Sequence, residues 1–519
     1  MFAFAIWDEK AKKLFCARDR FGIKPFYYTN TPHGFYFASE IKALLPFVEE
    51  IATNNDALKD YLTFQFTLGP KTLFRGIEQL MPAHTLIVKG KEIKIRKYWE
   101  VHYDLDWSHK KRYFQEEIRE RLMDSIRIHL RSDVPVGSYL SGGLDSSIVA
   151  SLARKIQKEG EFHAFHGKFP NNPQYDESRY ARQVAEFCHL ELHEQEITSQ
   201  DFISHIRKVI YYLDEPVAGP GSFPQYMVSK LAGDHVKVVV GGTGGDEIFG
   251  GYVRYLISYF EQCIKGAIEG TMHSGNFVVT YESIIPNLEA LRDYKPLLQE
   301  LWKEGLFEDR DKRYFRLINR ANGLSKEINW GLFEPYSAFD TFKRIFWGDN
   351  VEKESYFDSM THFDFKTLLP ALLHVEDRMS MAHGLESRVP LLDHPLVELA
   401  ATIPSNIKFE SGQLKHLMKI TFQQDLPEAV HQRTNKMGFP VPLSDWMKGE
   451  LREFVEDIFH SNKARHRDYL HPGFDVRKLI ENEGKFTRKV WGLLSLELWQ
   501  QEFHDKIHIY RNYRNGIDL

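Results

Sequence analysis

The sequence predicts an α/β protein in two parts: a short β-rich segment, then a doubly wound, mostly parallel sheet with a helical C-terminal part. Three observations carry that expectation. The first ~100 residues hold short aromatic runs broken by charged or turn residues, the pattern of half-buried strands. From residue 134 onward, strand-like and helix-like stretches alternate, which builds a parallel sheet covered by helices. Beyond residue 252 long helical patterns dominate.

Taken in order, "MFAFAIWD", "KLFCARD", "KPFYYTN" and "GFYFASE" read as strands. "AHTLIVKGKEIKIRKYW" reads as a hairpin turning at Lys89-Gly90-Lys91. The polar stretch "EVHYDLDWSHKKR" leads into the helical "FQEEIRERLMDSIRIHL", which places a domain boundary near residues 100–115, with domains expected over 1–105 and 115–519. "VPVGSYL", "FHAFHGKF", "LELHEQEI" and "VKVVVGG" are the next strands. "SSIVASLARKIQ" and "DESRYARQVAEFC" are helices between them, and "FVEDIFHSNKA" and "VWGLLSLELWQQEF" are helices further on.

Composition excludes several classes. The 519 residues carry 67 basic and 72 acidic side chains, a net charge of -5. That balance argues against a general polyanion-binding surface, so no nucleic-acid partner is expected. No apolar run approaches the ~18 residues of a membrane span, and the N-terminus reverses the charge order of a signal peptide; a cytoplasmic protein is expected. Cys16, Cys188 and Cys263 are far apart and predict reduced thiols rather than a disulfide or zinc framework. The 23 histidines are scattered, with no HExxH helix and no pair at metal-ligand spacing.

Chemistry concentrates in Ser141-Gly142-Gly143-Leu144-Asp145-Ser146-Ser147, after a strand and at the start of a helix. Adjacent glycines let the backbone approach a ligand without a Cβ clash. A helix N-terminus offers unpaired N–H groups and the positive end of its dipole. With the hydroxyls of Ser141, Ser146 and Ser147, this suits a pyrophosphate group. Asp145 repels phosphate directly but fits as a Mg²⁺ ligand, since the cation bridges carboxylate and phosphate oxygens. None of the Gly-Lys pairs is followed by Ser or Thr, so there is no Walker A loop.

The second cluster, Gly241-Gly242-Thr243-Gly244-Gly245-Asp246-Glu247, follows the strand "VKVVV". Glu247 stands where a dinucleotide fingerprint needs its third glycine. Four glycines at a strand's C-terminal edge instead line a crevice of an open α/β sheet. Asp246 is a candidate second carboxylate for the same Mg²⁺, and Glu247 a candidate for orienting the loop.

The Ser141–Ser147 string resembles the PP-loop of the ATP pyrophosphatase superfamily. The ordered set "SGGLDSS", "YDESRYA", "LDEP", "GGTGGDEIFGGY", "VEDRMSMAHGLESRVPLLDHP" and "RTNKMGFPVPLSDW" resembles asparagine synthetase of the glutamine-hydrolysing type. Upstream, "MFAFAIWD", "ARDRFGIKPFYY", "FASEIKALL" and "KYWE" resemble the later part of that family's glutaminase domain, an N-terminal-nucleophile fold. The resemblance implies ATP and Mg²⁺ as cofactors. It implies activation of a carboxylate as an acyl-adenylate with release of diphosphate, then amide formation by ammonia. Aspartate or a related carboxylate and ammonia or glutamine are the implied partners; homodimer formation stays open.

The same resemblance assigns roles. Asp145 and Asp246 match the Mg²⁺ carboxylates. Leu140, Gly167, Gly241 and Gly242 fall where the family lines its adenosine pocket. Lys436 matches a lysine that stabilises charge at the α-phosphate. Asp377, Arg378, Glu386, Arg388 and Asp393 read as substrate-pocket residues or as helical ion pairs.

The sequence departs from the family in several places. Phe2 follows Met1 where the family has its nucleophilic cysteine, and "RGPD", "HxRLSI" and "NGEIYN" do not occur. Met1 matches the internal methionine of "GMFAFA". The chain therefore reads as a member lacking roughly its first hundred residues, and glutamine hydrolysis is not expected of it. Position 243 is Thr, where relatives often carry an acid thought to help deprotonate the acceptor amine. A threonine hydroxyl is no base at neutral pH, so proton removal needs another group. The stretch "DEPVAGPGSFPQY" also differs from the family's usual version, which leaves room for a carboxylate other than free aspartate. A non-catalytic nucleotide-binding remnant is the third reading.

Overall fold

The computed structural model describes residues 1–269, 298, 301–302, 305, 307–352, 355–433, 441–484 and 488–516. The aromatic runs form strands as expected. β1 (Ala3–Asp8) and β2 (Lys13–Arg18) are antiparallel, and β3 (Tyr27–Thr31) pairs with β4 (Gly34–Ala38) and the two-residue β5 (Glu78–Gln79). The hairpin is β6 (His84–Lys89) and β7 (Glu92–Lys97), turning at Gly90 with φ +59°. β1, β2, β6 and β7 make one four-stranded sheet.

Between these strands lies a helix that the β-rich reading passes over, α1 (Asn55–Phe64), capped by Asn54, whose side chain accepts the Ala57 N–H at 3.3 Å. Its apolar positions Leu58, Tyr61 and Leu62 are buried. They join a core that also contains Trp491 and Trp499, so the helical C-terminal part packs onto the first hundred residues.

α2 (Lys111–His129) leads into the parallel sheet. Its strands are β8 (Val136–Tyr139), β9 (His163–Lys168), β10 (Glu191–Glu196), β11 (Val238–Val240) and β12 (Glu386–Arg388), in the spatial order β10-β9-β8-β11-β12, all parallel. Helices α3 (Leu144–Ile156), α4 (Ser178–Cys188), α5 (Ser199–Leu213) and α6 (Ser222–His235) fall between successive strands. The short α7 (Gly245–Phe249) follows β11. Strand order reverses between β8 and β11, the position where doubly wound sheets open a crevice beyond their carboxyl ends. The two glycine-rich loops leave those two strands.

β12, like the two-residue β5, is a strand the sequence reading misses. At three residues it is too short to show alternation, and Glu386 and Arg388 disguise it: Arg388 Nε pairs with Glu386 at 2.8 Å and its Nη1 donates to the His129 and Arg131 carbonyls at 2.6 and 2.8 Å. Cys16 lies buried in β2 and Cys188 is half-buried at the end of α4, both free; the Cys263 side chain lies outside the described residues. No helix among the described residues is long and apolar enough to cross a membrane.

Candidate active site

β8 ends at Tyr139 and Leu140 stays in the sheet's reach: its N–H donates to the Phe165 carbonyl at 2.9 Å, and its carbonyl meets His166 Nδ1 at 2.9 Å. The chain then turns through Gly142 at φ +72°. A Cβ there would lie 2.6 Å from Tyr180 Cβ and 2.7 Å from the Ala181 nitrogen, so the α4 backbone admits only glycine. Gly143 caps α3 and its carbonyl accepts the Ser147 N–H at 3.0 Å.

The serines organise the loop. The Ser141 and Ser146 hydroxyls hydrogen-bond each other at 2.9 Å, Ser141 N–H donates to Ser146 Oγ at 3.2 Å, and Gly143 N–H donates to Ser141 Oγ at 3.2 Å. Ser147 differs: it is fully buried and its hydroxyl has no hydrogen-bond partner among the described residues. Of the three nominated hydroxyls, it is the one turned into the protein interior.

The loop after β11 lies directly against this turn. A Cβ on Gly242 would sit 2.6 Å from the Ser146 nitrogen, and one on Gly245 2.6 Å from Asp145 Cγ. Gly241 faces Glu376, with 3.3 Å from its would-be Cβ to Oε1. Gly167 is enclosed by Ile197 and Val228, each of which would stand 2.9 Å from a Cβ at that position, so packing of α6 on β9 accounts for that glycine.

Asp145 and Asp246 converge from the two loops on one cation: the buried Lys415 ammonium pairs with both carboxylates. Lys415 holds a left-handed backbone at φ +54° and is 4% exposed. Two carboxylates this close repel unless a cation stands between them, and here an ammonium does so. The donor set, two hard oxygen anions sharing one positive charge at a helix N-terminus, would fit a divalent cation such as Mg²⁺. More positive charge surrounds the loop. Arg433 Nη1 donates to the Gly142 carbonyl at 3.3 Å, its side chain pairs with Glu177, and its guanidinium stacks 4.2 Å from the Tyr180 ring. Burial pulls Arg433 down to about 10, still charged at neutral pH. Lys419 Nζ donates to the Arg433 carbonyl at 3.2 Å. Lys415, Lys419 and Arg433 escape a reading of the sequence because single basic residues in and beside short helices look like solvated surface. Lys436 lies outside the described residues.

Thr243 Oγ1 donates to Glu376 Oε2 at 3.2 Å, and Ser387 Oγ donates to Glu376 Oε1 at 2.5 Å. Glu376 is buried, and desolvation pushes its carboxyl above the ordinary range. It sits in "VEDRMSM", one position before Asp377, the first residue of that segment to which the sequence assigns a role. Asp377 and Arg378 turn away from the loops toward the first hundred residues: Lys24 meets Asp377 at 2.8 Å and Arg378 meets Glu40 at 2.6 Å. Asp393 occupies the N-cap position of the helix His394–Thr402, with no side-chain capping hydrogen bond. Glu247 is buried and accepts the Tyr252 hydroxyl, and burial together with neighbouring Asp246 pushes its carboxyl up to about 7. It holds the loop from beneath rather than facing the crevice.

"LDEP" proves to be a latch between the parts. Asp214 accepts the Ile41 N–H at 2.7 Å and the Lys42 ammonium at 2.9 Å, and Glu215 accepts the Leu73 N–H at 2.8 Å.

A parallel sheet with two touching glycine-rich loops at its switch point, an ammonium between two acids and a buried carboxyl nearby is a crevice of the kind in which α/β enzymes bind ligands. A family model described as asparagine synthase matches residues 117–501, and one described as a glutamine amidotransferase domain matches residues 1–99. The chain is 31% identical over 514 residues to asparagine synthetase (glutamine-hydrolyzing) 1 of Bacillus subtilis, covering 96% of this chain and 77% of that protein. It is 27% identical over 518 residues to asparagine synthetase (glutamine-hydrolyzing) 3 of the same organism, covering 95% and 75%. It is also 26% identical over 503 residues to amidase chry2 of Gibberella zeae, covering 88% and 72%. The chain belongs to the asparagine synthase family and is a carbon–nitrogen ligase of that type.

Proposed function

We propose that this ligase converts aspartate, ATP and ammonia to asparagine, AMP and diphosphate through a β-aspartyl adenylate bound in the crevice between the two glycine-rich loops. The observation that carries the reading is the convergence of Asp145 and Asp246 on the Lys415 ammonium, beside a turn that only glycine can make. In this reading the domain of residues 115–519 has a PP-loop pyrophosphatase fold. The diphosphate lies along Ser141–Ser146 and the α3 N-terminus, while Leu140, Gly241 and Gly242 border the adenosine.

Mg²⁺, when bound, draws negative charge off the phosphates. Asp145 and Asp246 would hold it, and Lys415 would balance the remaining charge. The residues act mainly by holding like charges in line and neutralising them, which is where most of the catalytic effect in such transfers arises. Lys436 is assigned to the α-phosphate on the strength of the sequence resemblance. At the amide-forming step, ammonium must lose a proton. Thr243 positions the acceptor, and Glu376, a base with a raised affinity for protons, takes the proton that threonine cannot. Residues 1–105, a partial glutaminase-like domain, pack against the helix Leu368–Met381 that carries Glu376.

Isotope exchange between diphosphate and ATP tests the reading. Exchange that depends on added aspartate supports it. Exchange with other carboxylic acids but not aspartate would move the protein to a second reading, amidation of a different acid. The neutral Thr243 and the similarity to a protein named as an amidase favour that alternative. ATP binding with no exchange for any acid would refute both.

A further inference from the structure

At the far end of the parallel sheet, opposite the crevice, three side chains meet that have no part in the chemistry above. His163 opens β9, and Glu191 opens β10 directly beside it in register. His193 is two residues further along β10 and so points to the same face. Strand register thus joins residues that the sequence keeps 30 positions apart, which is why no metal-ligand spacing is visible there. His163 Nδ1 and His193 Nε2 are 3.0 Å apart. Glu191 Oε2 lies 3.1 Å from His163 Nδ1, and Oε1 lies 3.5 Å from His193 Nε2. The two imidazoles are 22% and 17% exposed and the carboxylate 46%, so solvent reaches the group.

Hydrogen bonds do not satisfy this triangle. If both ring N–H groups point at the carboxylate, the two nitrogens face each other at 3.0 Å without an acceptor between them. If one ring donates to the other, that proton no longer serves the carboxylate. A central ion satisfies all three edges at once. Two donors each about 2.1 Å from one ion stand ~3.0 Å apart at a right angle and ~3.4 Å apart at a tetrahedral angle. The observed edges of 3.0, 3.1 and 3.5 Å span that range.

We propose that His163, Glu191 and His193 form a binding site for a transition-metal dication of the zinc class, separate from the nucleotide crevice. Two imidazole nitrogens and one carboxylate oxygen suit Zn²⁺, Co²⁺ or Ni²⁺, whereas Mg²⁺ and Ca²⁺ take oxygen ligands. The fourth position is open to water, and the His235 ring, tilted at 35° with its centroid 4.0 Å from that of His193, closes one side of the site. His235 is the last residue of α6, where the negative end of the helix dipole favours a cation. A bound ion pins the edge strand β10 to β9. Its role is structural, so adenylation does not depend on it.

Calorimetric titration of the whole chain with Zn²⁺, in millimolar Mg²⁺ to occupy the acidic crevice, provides the test. One site of about micromolar affinity or tighter is expected. It should weaken at least ~10-fold in His163→Asn, His193→Asn and Glu191→Gln. Glu191→Gln alters only an exposed edge side chain, so it reports on the site even if a histidine variant unfolds. Bound Zn²⁺ should raise the melting temperature of the parent by about 2 °C at 100-fold excess over Kd and not that of Glu191→Gln. The proposal is overturned if the parent binds no Zn²⁺ below about 1 mM, or if Glu191→Gln titrates as the parent does.

Discussion

Asp145 and Asp246 reach one ammonium from loops that touch, so each carries charge that the other makes costly. Removing either leaves Lys415 with a single counter-charge and a divalent cation short of a ligand. Asp145→Asn is expected to lower the rate of ATP–diphosphate exchange by at least ~100-fold with an unchanged circular dichroism spectrum; a near-normal rate would remove Asp145 from the metal site. Glu376→Gln separates the two half-reactions. Exchange should persist, while amide formation falls ~100-fold and loses its rise with pH, since the buried carboxyl is the base that titrates. Glu215 ties stability to pH. Burial pushes its carboxyl from 4.5 up to about 7. Below pH 4.5 it is protonated whether the protein is folded or not; as pH rises through 7 the folded protein must hold a buried charge, and stability is lost. Glu215→Gln should therefore recover about 3 kcal/mol at pH 8 relative to pH 4.5. Thermal midpoints of both proteins across that range check the sign.

Among the elements, the glycine turns matter most because they are where backbone meets backbone. Gly142→Ala adds a methyl group against the α4 backbone at a positive φ. It is expected to cost about 1–3 kcal/mol and to widen the turn; calorimetric nucleotide affinity should drop with it. This turn is legible in the sequence, because a strand, two glycines and a helix start follow one another without interruption. The cation is not. Lys415, Lys419 and Arg433 lie more than two hundred residues downstream, and only the tertiary fold returns them to the loop. Glu376 is hidden for a related reason: within "VEDRMSM" three charged residues stand in a row, and helix orientation decides that Glu376 faces Thr243 while Asp377 and Arg378 face Lys24 and Glu40. α1 and β12 escape because one is a single helix among strands and the other has only three residues.

In the molecule as a whole, the first hundred residues are fastened to the helix that bears Glu376. Tyr27 hydroxyl meets His374 Nδ1 at 3.0 Å, Lys24 meets Asp377, and Asp214 holds Ile41 and Lys42. Asp214→Ala leaves the buried Ile41 N–H without its acceptor and the Lys42 ammonium with Glu40 as its remaining carboxylate, which is expected to cost about 3 kcal/mol and to speed proteolysis within residues 1–105. The most direct test of the whole account is a crystal structure with a non-hydrolysable ATP analogue and Mg²⁺. The account predicts β- and γ-phosphates within hydrogen-bond distance of the Ser141–Ser146 backbone and hydroxyls, with the metal on Asp145 and Asp246. A triphosphate bound elsewhere, with the Lys415 bridge intact and no metal between the two aspartates, would contradict it.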